Sequence, residues 1–379
     1  MNLKNFFYWI STATLFLAAH ANAVDGVTDK SVTVGIVNTT SGPTATTGIM
    51  FNAGPKVYFE KLNKSGGING RKIEAKYYDD GYEPVRAASE TKKAIENDHA
   101  FVILNNNGTP TAKAVLPIID RAHVPFLFPR TGDIAVRDPF NRYIFNLRSS
   151  FAVEMVELIN QAVIKEKKKK VAILTQADTF GNVVLSAAQK ALRDKGIKDF
   201  AANGEVPRNS VDITAAFETI AKSNPEVVVL GVTQAAAVPF LKLAHSKNKK
   251  WRFLALNNLN PVVTQLTEGE GDTMLISQVV PNPTTSTLPI AKQFREDMKA
   301  AGQEKSINFV AFEGYVNAHF FAEALRAAGN NPTRETLIDA FESKEFDLGG
   351  IKVLFSKTDH DGTLPVLVTQ IKGQQFIDL

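Results

Sequence analysis

Two separate stretches of the chain alternate short apolar runs with segments of helical periodicity. In the first, Val32–Val37 reads as a strand, residues 49–63 as a helix ended by the turn Ser65-Gly66-Gly67, and Lys72–Tyr78 as a second strand. A helix over 83–97 then leads to Phe101-Val102-Ile103-Leu104. A run that short and wholly apolar suits a parallel strand covered on both faces. The second series begins near Ser150, where Val153, Val156, Ile159 and Val163 mark one face of a helix. It continues through the strand Val171–Leu174, a helix over 182–195, a strand around Glu205, a helix over 212–223, the strand Val227–Leu230 and a helix to about Ser246. Strands separated by helices of this length form right-handed βαβ units with parallel sheets. Two such series imply two doubly wound lobes, as does a length of 379 residues, too great for one core.

Residues 1–23 read as a secretory signal: Lys4, an apolar stretch from Phe6 to Ala19, and the small-x-small site Ala21-Asn22-Ala23, with cleavage expected after Ala23. That stretch is shorter than the roughly 20 residues a spanning helix needs. No later window holds 18 uninterrupted apolar residues. There is no cysteine, which excludes a disulfide framework, thiolate metal sites, a cysteine nucleophile and a lipidated anchor. The expectation is a soluble, non-lipidated periplasmic protein.

The formal charge is +4, from 43 basic and 39 acidic residues, and removal of Lys4 lowers it by one. Phosphate tracking needs a clustered basic face, so no nucleic-acid partner is implied. The run Lys167–Lys170 lies between a helix and a strand and reads as a solvated corner. No G-x-S-x-G elbow, P-loop or H-E-x-x-H occurs, and the six histidines are scattered. Asp359-His360-Asp361-Gly362 lacks the distal glutamate of a calcium loop and reads as a polar turn. Neither catalysis, metal nor cofactor has positive support.

The segment Val34–Asp80 resembles the leucine/isoleucine/valine-binding family of ABC-transporter substrate-binding proteins. The resemblance is carried by Ser41-Gly42-Pro43, by the block Gly66-Gly67-Ile68-Asn69-Gly70-Arg71-Lys72-Ile73, and by Asp79-Asp80-Gly81 with Pro84. Gly108-Thr109-Pro110-Thr111, Thr131-Gly132 and Phe180-Gly181 extend it. It implies an α/β, type I periplasmic-binding fold: two doubly wound parallel-sheet lobes joined by a three-crossing hinge, with a ligand trapped between them. Lobe 1 would be 24–149 with 278–361, and lobe 2 would be 150–277 with 362–379. It further implies a monomer that delivers a small-molecule ligand to an inner-membrane ABC permease. Rival readings are a ligand-sensing subunit of the same fold, coupled to a receptor or regulator, and an exported α/β enzyme.

Asn107-Gly108-Thr109-Pro110 lies between a buried strand and a helix, with Thr109 as N-cap and Pro110 in the first helical position. The amides of Thr111 and Ala112 would then face the cleft and suit a carboxylate. The resemblance adds Thr131 and Gly132 at the same sheet edge, Ser149 at the first crossing, and Phe180 covering the ligand from lobe 2. It also exposes departures. The family's ammonium-holding acid falls in Phe151-Ala152-Val153, with Glu154 nearest, and a second family acid aligns with Asn257. Two tyrosines of the family stand here as Thr47 and Thr233. A buried ammonium without a counter-charge is costly. Two solutes therefore stay open: an amino acid held through Glu154, or an organic carboxylate without an ammonium.

Overall fold

The structure is a computed structural model that describes residues 25–267, 269–362 and 364–379. The signal segment assigned to residues 1–23 lies outside them.

A five-stranded parallel sheet is built from β1 (Ser31–Asn38), β2 (Lys72–Asp79), β3 (Val102–Leu104), β4 (Phe126–Leu127) and β5 (Ile144–Phe145), in the order β2-β1-β3-β4-β5. Its side chains divide by alternation, as the period of two requires. Val32, Val34, Ile36, Val102 and Leu104 enter one core, while Val37, Ile103, Phe126 and Ile144 enter the other. Helices α1 (Ala45–Lys64), α2 (Pro84–Glu96) and α3 (Thr109–Ala122) connect these strands. The first helix starts four residues ahead of the expected position, because Thr44 to Gly48 are polar or small and carry no periodic signal.

The chain then passes to α4 (Phe151–Ile159), which runs into a π-turn over 160–165. The second sheet takes β6 (Val171–Gln176), β7 (Asn203–Val206), β8 (Val227–Gly231), β9 (Arg252–Ala255) and β10 (Met274–Gln278), all parallel, with α5 (Thr179–Arg193), α6 (Thr214–Lys222) and α7 (Gln234–Ser246) between them. Asp178 caps α5 by accepting the Phe180 and Gly181 amides, which moves its start three residues ahead of the expected 182. Here too the faces alternate: Ala172, Leu174, Val228 and Leu230 lie in one core, Val171, Ile173, Val227 and Val229 in the other.

From β10 the chain returns to the first sheet through α8 (Pro289–Ala300), α9 (Phe309–Ala327) and α10 (Arg334–Glu342), followed by the short hairpin β11 (Phe346–Asp347) and β12 (Lys352–Val353). Their side chains join the core that holds Val32 and Val34. It then crosses back, and β13 (Leu367–Lys372) and β14 (Gln375–Asp378) add antiparallel strands, giving the order β14-β13-β10-β9-β8-β6-β7. Parallel strands with helices on both faces, interrupted by three passages between sheets, make an α/β two-lobed molecule with its cleft at the carboxyl ends of the strands. Among the described residues no helix is long and apolar enough to cross a membrane.

Candidate ligand-binding site

The first and third passages run side by side. The Asn146 amide donates to the His360 carbonyl and the Gly362 amide to the Asn146 carbonyl, both at 2.8 Å, and the Ser149 hydroxyl donates to the Leu364 carbonyl. Arg137, buried behind them, donates to Asp361 at 3.0 Å and to the Arg148 carbonyl at 2.8 Å. Asp359–Gly362 is thus a stitch between passages, with the His360 ring stacked on Phe145 at 3.8 Å.

Beside this hinge, a pocket opens between the lobes. The first sheet's side contributes Thr44, Thr47, Tyr82, Asn107, Gly108, Thr109 and Arg130. Arg148 and Phe151 come from the first passage, and Phe180, Thr233, Gln234 and Asn258 from the second sheet's side. Contacts also bridge the cleft directly. Thr47 Oγ1 donates to Gln234 Oε1 at 3.3 Å, and Gln234 Nε2 to the Pro43 carbonyl at 3.2 Å. At the rim, Arg208 and Asn209 donate to Glu83 at 2.7 and 2.9 Å.

Of the ten residues anticipated as ligand contacts, Asn107, Gly108, Thr109, Phe180 and Thr233 line this pocket. The other five lie behind the lining. Thr131 shares a 2.7 Å hydroxyl bond with Thr109. Gly132 lets the first passage through: a Cβ there would sit 2.4 Å from the Phe151 amide nitrogen, which itself donates to the Gly132 carbonyl. Ser149 is committed to Leu364, while Glu154 and Asn257 are both bonded to Arg148.

The start of α3 differs from the expectation. Gly108, with φ of +107°, occupies the N-cap, and Thr109 is already helical, its hydroxyl turned to Thr131 rather than capping. A Cβ on Gly108 would come within 2.6 Å of the Tyr82 ring, so both the backbone angle and the space call for glycine. The Ala112 amide is taken by the Gly108 carbonyl. The amides at Thr109 and Thr111 belong to the turn that has no intrahelical acceptor.

Two arginines missing from the sequence reading dominate the electrostatics. Arg130 Nε donates to Glu313 at 3.0 Å, and its terminal nitrogens reach Asn107 Oδ1 and the Asn257 carbonyl, both at 3.3 Å. Arg148 reaches Glu154 at 3.2 Å, Asn257 Oδ1 at 2.6 Å and Glu313 at 3.6 Å. Ser277 donates to the second Glu154 oxygen at 2.5 Å. Burial pushes the Glu154 pKa up, with Arg148 and Ser277 opposing that shift, and burial pushes the Arg130 pKa down, with Glu313 opposing. Phe151 and Phe180 meet edge to face at 5.6 Å between centroids. Among the described residues no acidic or histidine cluster suited to a metal exists.

Fold and cleft together define a two-lobed solute-binding protein of the type I periplasmic-binding class. The family model described as "Periplasmic binding protein" matches residues 31–375, and the chain belongs to that family. An "Amino acid binding protein" of Pseudomonas aeruginosa is 23% identical over 320 residues, spanning 83% of this chain and 84% of the relative. Among solved structures, a possible leucine/isoleucine/valine-binding protein of Rhodopirellula baltica superposes with a TM-score of 0.87 at 24% identity, covering 95% of this chain and 98% of that one. A fatty acid ABC transporter substrate-binding protein of Thermomonospora curvata gives 0.83 at 22%, covering 94% and 93%. By name, these relatives are binding proteins.

Proposed function

We propose that this chain is the periplasmic receptor of an ABC transporter, capturing one small organic solute by hinge closure and presenting it to an inner-membrane permease. The observation that carries the reading is the pocket itself: its lining comes from both lobes and from the passage that joins them. A solute touching both walls favours the closed arrangement, because only that arrangement makes all its contacts. In this reading the lobes change over at about 149/150, 277/278 and 361/362, where the hinge bonds cluster. Asn107, Gly108, Thr109, Phe180 and Thr233 touch the solute, while Thr131, Gly132, Ser149, Glu154 and Asn257 hold the lining in place. The protein works as a monomer freed of its leader after Ala23.

The test is thermal denaturation of the mature protein against a panel of small organic solutes. A ligand at about 100 times its Kd adds roughly 2.7 kcal/mol, so a true solute raises the melting temperature by several degrees. A panel spanning amino acids, organic acids and sugars that leaves it unmoved would contradict the receptor reading.

A further inference from the structure

Resting on the receptor reading, we infer that the solute is a carboxylate without an ammonium group, its short apolar body packed among Phe151, Phe180 and Tyr82. No Asp or Glu lines the pocket, whereas two guanidinium groups do.

The acids nearby are committed elsewhere. Glu154 is divided between Arg148 and Ser277, and Glu313 between Arg130 and Arg148. Asp178 accepts the Phe180 and Gly181 amides on one oxygen and the Gln176 amide on the other. Asp80 accepts the Thr39 hydroxyl and the Tyr82 amide. The charges of Arg130 and Arg148 are balanced by Glu313 and Glu154, so an ammonium in this pocket would find no carboxylate free to pair with it while facing the positive end of α3.

A carboxylate meets the opposite situation. The α3 N-terminus presents first-turn amides next to the Thr109 and Thr131 hydroxyls, with no side chain capping it. Independently, the Nε–H of Arg148 has no acceptor in the protein although the side chain is only 4% exposed and lines the pocket. A buried unsatisfied donor is costly, and an anionic acceptor removes that cost. The aromatic rings complete the site with a surface suited to a hydrocarbon body, branched or planar.

Matched pairs separate the two solute classes. The mature wild-type protein is titrated calorimetrically with leucine and 4-methylpentanoate, valine and 3-methylbutanoate, and phenylalanine and 3-phenylpropanoate. In parallel, solute released by denaturing freshly purified protein is weighed by mass spectrometry and tested with a primary-amine reagent. The expected result is that at least one deaminated acid binds 100-fold or more tighter than its amino-acid twin, and that any released solute is an amine-free acid. An amino acid that binds as well as its deaminated twin, or a released primary amine, overturns the inference and leaves the receptor reading intact. If nothing is released and no acid or amino acid binds, the inference falls and the receptor reading loses its support as well.

Discussion

Asp80 and Glu154 are both buried carboxylates, but their surroundings differ. Glu154 meets a guanidinium at 3.2 Å, whereas Asp80 is held only by the Thr39 hydroxyl and the Tyr82 amide, and one of its oxygens has no partner. Desolvation pushes the Asp80 pKa up from 3.8 to about 6, against those hydrogen bonds. A raised acid favours folding while protonated, so its contribution is whole below the unfolded pKa and is lost as pH rises through about 6. Asp80→Asn, permanently neutral, is therefore expected to gain about 1–3 kcal/mol over wild type at pH 7.5 and well under about 1 kcal/mol at pH 4. Urea unfolding at the two values checks this, and an equal effect at both contradicts it. For Glu154 the account predicts the reverse: Glu154→Ala leaves Arg148 short of a buried counter-charge and costs about 3–5 kcal/mol. If the same unfolding experiment finds Glu154→Ala near neutral, the guanidinium is not relying on that carboxylate.

Helices α1 and α9 cross through glycines. A Cβ on Gly54 would lie 2.0 Å from the Ala311 carbonyl oxygen, and one on Gly314 2.4 Å from the Phe51 carbonyl oxygen. Both obstacles are backbone, so Gly54→Ala must push the helices apart and should cost about 1–3 kcal/mol despite alanine's better helix propensity. Chemical denaturation showing a gain in stability would mean the helices are not held at this separation. Element by element, the two βαβ series were legible because parallel strands buried on both faces become continuous apolar runs, as in Val227–Leu230 and Phe101–Leu104. The hairpin of β13 and β14 was not, since its buried and exposed residues follow no regular alternation. Part of the site was legible through Asn107, Gly108 and Thr109, whose residue types announce a helix start at a strand end. Arg130 and Arg148 gave no signal: nothing local marks an arginine as buried when its partner Glu313 stands 183 positions away from Arg130.

At the scale of the molecule, the lobes meet directly through polar contacts, Thr47 with Gln234, Gln234 with the Pro43 carbonyl and Arg130 with the Asn257 carbonyl, and through a pair at the rim. The rim pair Glu83–Arg208 is partly exposed on both sides, and such pairs are worth at most about 1 kcal/mol. In the proposed receptor, a solute in the cleft favours closure by adding contacts to both walls. Because the chain has no cysteine, one dye can be attached to each lobe without background, through Lys92→Cys on α2 and Glu218→Cys on α6, both exposed helix positions. The direct measurement is single-molecule energy transfer between those dyes, with and without a saturating concentration of the acid that raises the melting temperature most. A shift of the population into one narrow high-transfer state on adding that acid is the predicted result. An unchanged distribution at full occupancy would contradict closure around a solute.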